Sequence, residues 1–159
     1  MPATAVYRTA IASEWVDYNG HLRDAYYLLV ISLATDALMD RLGLDAPYRQ
    51  RTRCTLYTLE AHIHYLQEVK RTDVAEVFVR ILGADAKRIH AGFELRCEQH
   101  PGPAAVAEIM LLHVHQGETV TALPFPPAAS AAISQLREGT AGEAVPGPGS
   151  RRMELRPHP

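Results

Sequence analysis

Near its start the chain carries one helical repeat of apolar residues; most of the remainder is patterned as strands. Leu28, Ile31, Ala34, Thr35, Leu38 and Leu42 recur at helical spacing, and Val30, Leu33 and Ala37 fill a second face. Little of the segment is polar before Asp36, and a helix apolar on nearly every side is one that is buried. Asp24 is placed to cap its start, and Gly43 to end it.

On either side of this helix the period is two. Ala5 to Ala12 predicts a first strand. Thr52 to Val69 predicts a long one, with Thr55, Tyr57, Leu59, Ala61, Ile63 and Tyr65 on one face and Leu56, Thr58, Glu60, His62 and His64 on the other. Asp73–Leu82, Arg88–Glu98 and Val106–His115 predict three more, separated by turns at Gly83–Lys87 and at His100-Pro101-Gly102-Pro103. Leu44–Arg51, which contains Pro47, reads as a loop, and Ala128–Arg137, behind a run of prolines, as a short helix. The order is strand, long helix, then four strands. It predicts an α+β fold, an antiparallel sheet of about five strands wrapped around one long central helix. One sheet around one helix leaves a sheet edge open, so a homodimer is expected, with a homotetramer as a further step. The domain is expected to occupy residues 1–138. The Gly-, Pro- and Arg-rich segment 139–159 is expected to be a disordered tail.

Composition narrows the function classes. The net charge of −2 and scattered basic residues argue against a nucleic-acid or anionic-membrane partner. No apolar run approaches the roughly 18 residues needed to span a bilayer, and the N-terminus lacks a signal-peptide pattern, so a cytoplasmic protein is expected. Cys54 and Cys97 form no C-x-x-C pair and read as small buried hydrophobes. His62 and His64, like His113 and His115, share a strand face but lack a third ligand at a recognisable spacing, so no metal is expected.

Chemistry concentrates in Glu14–Leu28, which packs Asp17, Asn19, Gly20, His21 and several aromatics ahead of the helix start. A helix N-terminus offers free N–H groups and a positive dipole end for developing negative charge. Asp17 can serve there as base or nucleophile. It can equally be a turn-former bonding its own backbone two residues on, and spacing alone favours that reading. Asn19 and Gly20 suit a turn with positive φ. His21 either orients Asp17 or the substrate, or bonds backbone near the helix start. Glu60 and His62 point the same way from the long strand, either as a second acid/base pair reaching the pocket across a dimer interface or as a polar pair at that interface.

Asp17-Tyr18-Asn19-Gly20-His21-Leu22 followed by Tyr26-Tyr27-Leu28 resembles the D-x-N-G-H-[ML] signature of hotdog-fold acyl-CoA thioesterases of the 4-hydroxybenzoyl-CoA thioesterase type. The segments 57–66, 83–90 and 107–114 resemble a narrower branch, the betainyl-CoA thioesterases of carnitine breakdown, and the likeness covers about Tyr7 to Leu136. Two departures stand out: Arg23 and Asp24 where many relatives carry two asparagines, and His115 where an acid is common. The resemblance implies hydrolysis of a small acyl-CoA, betainyl-CoA as best guess, with no cofactor, coenzyme A being part of the substrate. It makes Asp17 the catalytic acid, with Asn19, His21, Glu60 and His62 as further candidates. It assigns the carbonyl to N–H groups near Asp24 and Ala25, lets Gly20 admit the thioester close to the backbone, and offers Lys87 and Arg88 to the phosphates. Trp15, Tyr18, Tyr26 and Tyr27 would bind a trimethylammonium group by cation–π attraction, although at least two of the four are expected to be core. A hotdog dehydratase or hydratase, and a non-catalytic acyl-CoA-binding module, are the alternatives.

Overall fold

The computed structural model describes residues 4–141. Strand β1 (Thr4–Ala10) leads through a single turn at Ser13–Trp15 and a loop into α1 (Asp24–Arg41). There follow α2 (Ala46–Thr52), β2 (Cys54–Tyr65), β3 (Val74–Ala84), β4 (Arg88–Cys97), β5 (Pro103–Gln116), β6 (Val120–Ala122) and α3 (Pro127–Gly139). The sheet is antiparallel in the order β1-β3-β4-β5-β2, with β6 also on β5. It is the α+β hotdog arrangement, with a short sixth strand. Beyond residue 141 the expected tail lies outside the described residues; Gly139 closes α3 and Thr140 is buried against it.

The helix lies across the sheet with Val30, Ile31, Ala34 and Leu38 fully buried against Val77, Val79, Ile89, Phe93 and Leu111. Its burial is one-sided, contrary to the expectation of an all-round buried helix, because Leu28 and Leu29 stay 39% and 38% exposed. The presumed loop 44–51 is largely helical: Asp45 accepts the Tyr48 N–H as a cap, and Pro47 sits in the first turn, where a missing N–H costs nothing.

The face assignment of β2 is also corrected. The register against β5 shifts between Thr58 and Glu60, a β-bulge that places one extra residue in β2. Leu56 and Thr58 therefore face α1 together with Ala61, lining one cavity with Ile109 and Leu111. Glu60, His62 and His64 lie on the opposite face, because neighbours alternate. No helix among the described residues is long and apolar enough to cross a membrane.

Candidate active site

Asp17 stands in a closed turn. Its N–H donates to the His21 carbonyl at 2.9 Å, and Gly20, at φ +77°, donates to the Asp17 carbonyl at 3.0 Å. The carboxylate Oδ1 accepts the Asn19 N–H at 2.8 Å and the His21 N–H at 3.1 Å. The turn-forming role thus holds, and Oδ2 takes neither bond. The His21 amide is the largest influence on the carboxyl; burial opposes it, and the Asn19 amide with the nearby His21 and Arg23 charges tips the balance to below the usual 3.8.

The loop is fastened from behind. Leu22 N–H donates to Val69 O at 2.7 Å, Arg71 N–H to Gly20 O at 3.0 Å, and His21 bridges to Lys70. The Tyr27 hydroxyl holds the same segment, accepting the Val69 N–H at 3.0 Å and donating to Gln67 O at 3.2 Å. Arg23 is drawn into the loop as well, its Nε donating to Val16 O.

At the helix start two expectations change. The cap position belongs to Arg23, which makes no side-chain capping bond, and Asp24 is the first helical residue. The Asp24 Oδ1 accepts the Ala25 N–H at 2.8 Å, so the amide expected to hold a carbonyl already carries a carboxylate. A cavity of about 360 Å³ opens beside this terminus, lined by Leu22, Asp24, Tyr27, Tyr65, Gln67 and Glu68 among others. A second, of about 320 Å³, runs between α1 and β2 from Leu28 to Met39. Asp17 lines neither of the two.

The other predicted residues scatter. The His21 ring turns to Glu68, Nε2 to Oε2 at 3.5 Å, so it is the backbone N–H of His21, rather than its imidazole, that touches the Asp17 carboxylate. Trp15 and Tyr26 stack at 6.0 Å between centroids and pack against the core. Tyr27 is core, and Tyr18 is 93% exposed. Glu60 and His62 pair at 2.6 Å on the sheet face away from α1, where a neighbouring pair, His90 and Glu108 at 3.5 Å, shares a shallow hollow with them. Within the chain they are therefore not joined to Asp17.

Lys87 and Arg88 occupy the β3–β4 turn. Arg88 is held twice by Asp85 Oδ2, at 2.6 and 2.8 Å, and these bonds, with the turn amides, pull the Asp85 carboxyl down to about 2. The Lys87 side chain makes no ion pair among the described residues. The turn lies at the opposite end of β4 from Cys97, roughly 30 Å away at about 3.3 Å per residue, whereas the Cys97 end adjoins the Asp73 and Lys70 that back the loop. Sequence reasoning overlooked Tyr65, whose hydroxyl donates to Asp24 O at 3.2 Å, and the Tyr27 strut. Both depend on partners distant in the chain, and nothing in their own neighbourhoods signals them.

A family model described as the Thioesterase-like superfamily matches residues 11–133, and the chain belongs to that superfamily. It is 44% identical over 140 residues to a betainyl-CoA thioesterase of Pseudomonas aeruginosa, covering 88% of this chain and 87% of that one. It is 42% identical over 122 residues to an L-carnitine dehydrogenase/betainyl-CoA thioesterase of Agrobacterium fabrum, covering 77% of this chain and 25% of that longer protein. Among solved structures, Staphylococcus aureus SAV2348 in complex with CoA superimposes with a TM-score of 0.89 at 27% identity, over 98% of each chain.

Proposed function

We propose that the chain hydrolyses betainyl-CoA to the free acid and coenzyme A, with Asp17 supplying the reacting oxygen and the start of α1 holding the carbonyl. Thioester hydrolysis is the activity of its family; the acyl group and the residue roles are our reading. The observation that carries them is the Asp17 carboxylate, kept ionised by two backbone amides on the loop that runs into a helix N-terminus. Its free Oδ2 either attacks the carbonyl carbon, giving a mixed anhydride and the coenzyme A thiolate, after which water cleaves the anhydride to the free acid and restores Asp17, or takes a proton from a water that attacks the thioester instead. Both routes place negative charge on the carbonyl oxygen, next to the Asp24 N–H and the positive end of the helix dipole. The Ala25 N–H joins them when the exposed Asp24 carboxylate rotates away, a change of rotamer with no packing to break. The acid and the dipole supply this chemistry without a cofactor.

The Pseudomonas aeruginosa relative's name supports a cationic acyl group. So does the Trp15–Tyr26 stack beside the loop, since each ring facing a trimethylammonium contributes about 0.5–2 kcal/mol.

A dimer completes this reading. Strand β2 is a sheet edge that leaves Leu59 55% and Tyr65 51% exposed, a template for a second strand. Antiparallel pairing of two β2 edges turns the Lys87 end of one sheet toward the Asp24 end of the other, so the phosphate contact comes from the partner protomer. Glu60 and His62, near the middle of β2, then lie beside the twofold axis as an interfacial pair.

Thiol release measured across a panel of acyl-CoAs tests the proposal. The panel includes betainyl-CoA and its neutral isostere tert-butylacetyl-CoA. Betainyl-CoA is expected to have the highest kcat/KM, with the isostere lower by roughly 10-fold for one or two cation–π contacts. Equal turnover of the two removes the cationic assignment, and no thiol release from any member removes hydrolysis.

A further inference from the structure

Behind the signature loop, three residues from different parts of the chain converge. Asp73 precedes β3, Cys97 ends β4, and His100 follows on the turn where its N–H donates to Cys97 O at 3.0 Å. One donor atom from each of the three lies within 4.8 Å of the others. Asp73 and Cys97 are each only 4% exposed, and the His100 side chain 18%. Asp73 Oδ2 also accepts the Lys70 N–H at 2.8 Å, which sets the orientation of the carboxylate.

From this convergence we infer a tetrahedral zinc site with Cys97 Sγ, His100 Nε2 and Asp73 Oδ2 as ligands and a fourth position for water. The donor set of one thiolate, one imidazole and one carboxylate is that of zinc among the common divalent ions. The distance between Asp73 Oδ2 and His100 Nε2 is 3.3 Å. The two are hydrogen-bonded to each other, at a separation that is also close to the ~3.4 Å edge of a tetrahedron built on metal bonds of about 2.1 Å. Spacing supplies the rest: Cys97-Glu98-Gln99-His100 puts two ligands on one tight turn, and β3–β4 pairing of Ala75 with Cys97 brings Asp73 alongside. Metal entry releases the thiol proton to solvent.

The role is structural and independent of the acyl-CoA reading. The Asp73 turn carries Lys70 and Arg71, and these hold His21 and Gly20 of the loop. Zinc therefore clamps the back of the loop without touching the reacting atoms.

The test uses the full chain without a histidine tag, purified from zinc-supplemented cells. Elemental analysis is expected to find about one zinc per chain. After chelation, cobalt(II) should give the near-ultraviolet thiolate-to-cobalt absorption and the visible bands of a tetrahedral site. Cys97→Ser and Asp73→Asn should each weaken zinc binding roughly 100-fold or more, while His90→Ala, in the exposed histidine cluster, should leave it unchanged. Absence of the thiolate-to-cobalt band in the wild-type chain overturns the inference, whatever the variants do. Equal zinc affinity in Cys97→Ser overturns it as well, and so does loss of binding in His90→Ala alone.

Discussion

Replacing Tyr27 by Phe removes one oxygen that couples α1 to the segment behind the loop. The side chain is 5% exposed, and its hydroxyl both accepts the Val69 N–H and donates to Gln67 O. Burial raises the phenol above its usual value, so the hydroxyl stays protonated at any working pH. Without it, the Val69 amide, in a fully buried residue, has no acceptor, a cost of about 1–3 kcal/mol. The half-buried Gln67 carbonyl can turn to water, and its loss is nearer 0.5–1.5 kcal/mol. The sum is about 2–4 kcal/mol. In a domain of this size it lowers Tm by roughly 5–15 °C. Circular dichroism melts and urea unfolding of the two proteins measure it. Because Val69 O also holds Leu22, loosening this segment should lower kcat/KM while Asp17 remains in place. A Tm change of about one degree or less would refute the strut, since only an alternative acceptor at Val69 could absorb the loss.

Asp17→Asn keeps an oxygen for the Asn19 and His21 amides, so the fold should persist with at most a small fall in Tm while kcat falls roughly 10²–10⁴-fold; near-normal turnover removes Asp17 from the chemistry. The same two amides stabilise the carboxylate, so an NMR titration of the Asp17 carboxyl should show a midpoint below 3.8. Whatever stability this contributes is present above the unfolded-state value and lost as pH falls through the lower folded one, and a midpoint at or above 3.8 contradicts it. Leu59→Lys places a charge on the exposed β2 edge and should shift the chain to monomer by light scattering, with activity falling alongside. An unchanged mass for this variant rules out the β2 interface.

Local signals suffice where neighbours alone decide geometry. Gly43 ends α1 with φ +73°, Gly20 takes φ +77° in the Asp17 turn, and the two-residue alternation locates β3, β4 and β5. Even α2 is legible, since Asp45 and Pro47 are an ordinary helix start and a proline in the first turn begins a helix. The Thr58-Leu59-Glu60 bulge was not legible. Nothing in those three residues differs from continuous strand, and the extra residue is imposed by pairing with β5. One shift of register then moved Glu60 and His62 to the far face of the sheet.

By itself, then, the sequence determined the turns, the period of each element and the loop that holds Asp17, because backbone dihedrals and side-chain spacing answer to adjacent residues. Tertiary structure alone decided which faces the side chains take, and which residues share an end of the sheet. It put Lys87 at the opposite end of β4 from the Cys97 end that backs the loop, and it brought Asp73, Cys97 and His100 together. Those outcomes are set by cross-strand pairing between segments distant in the chain, and such pairing has no local signature.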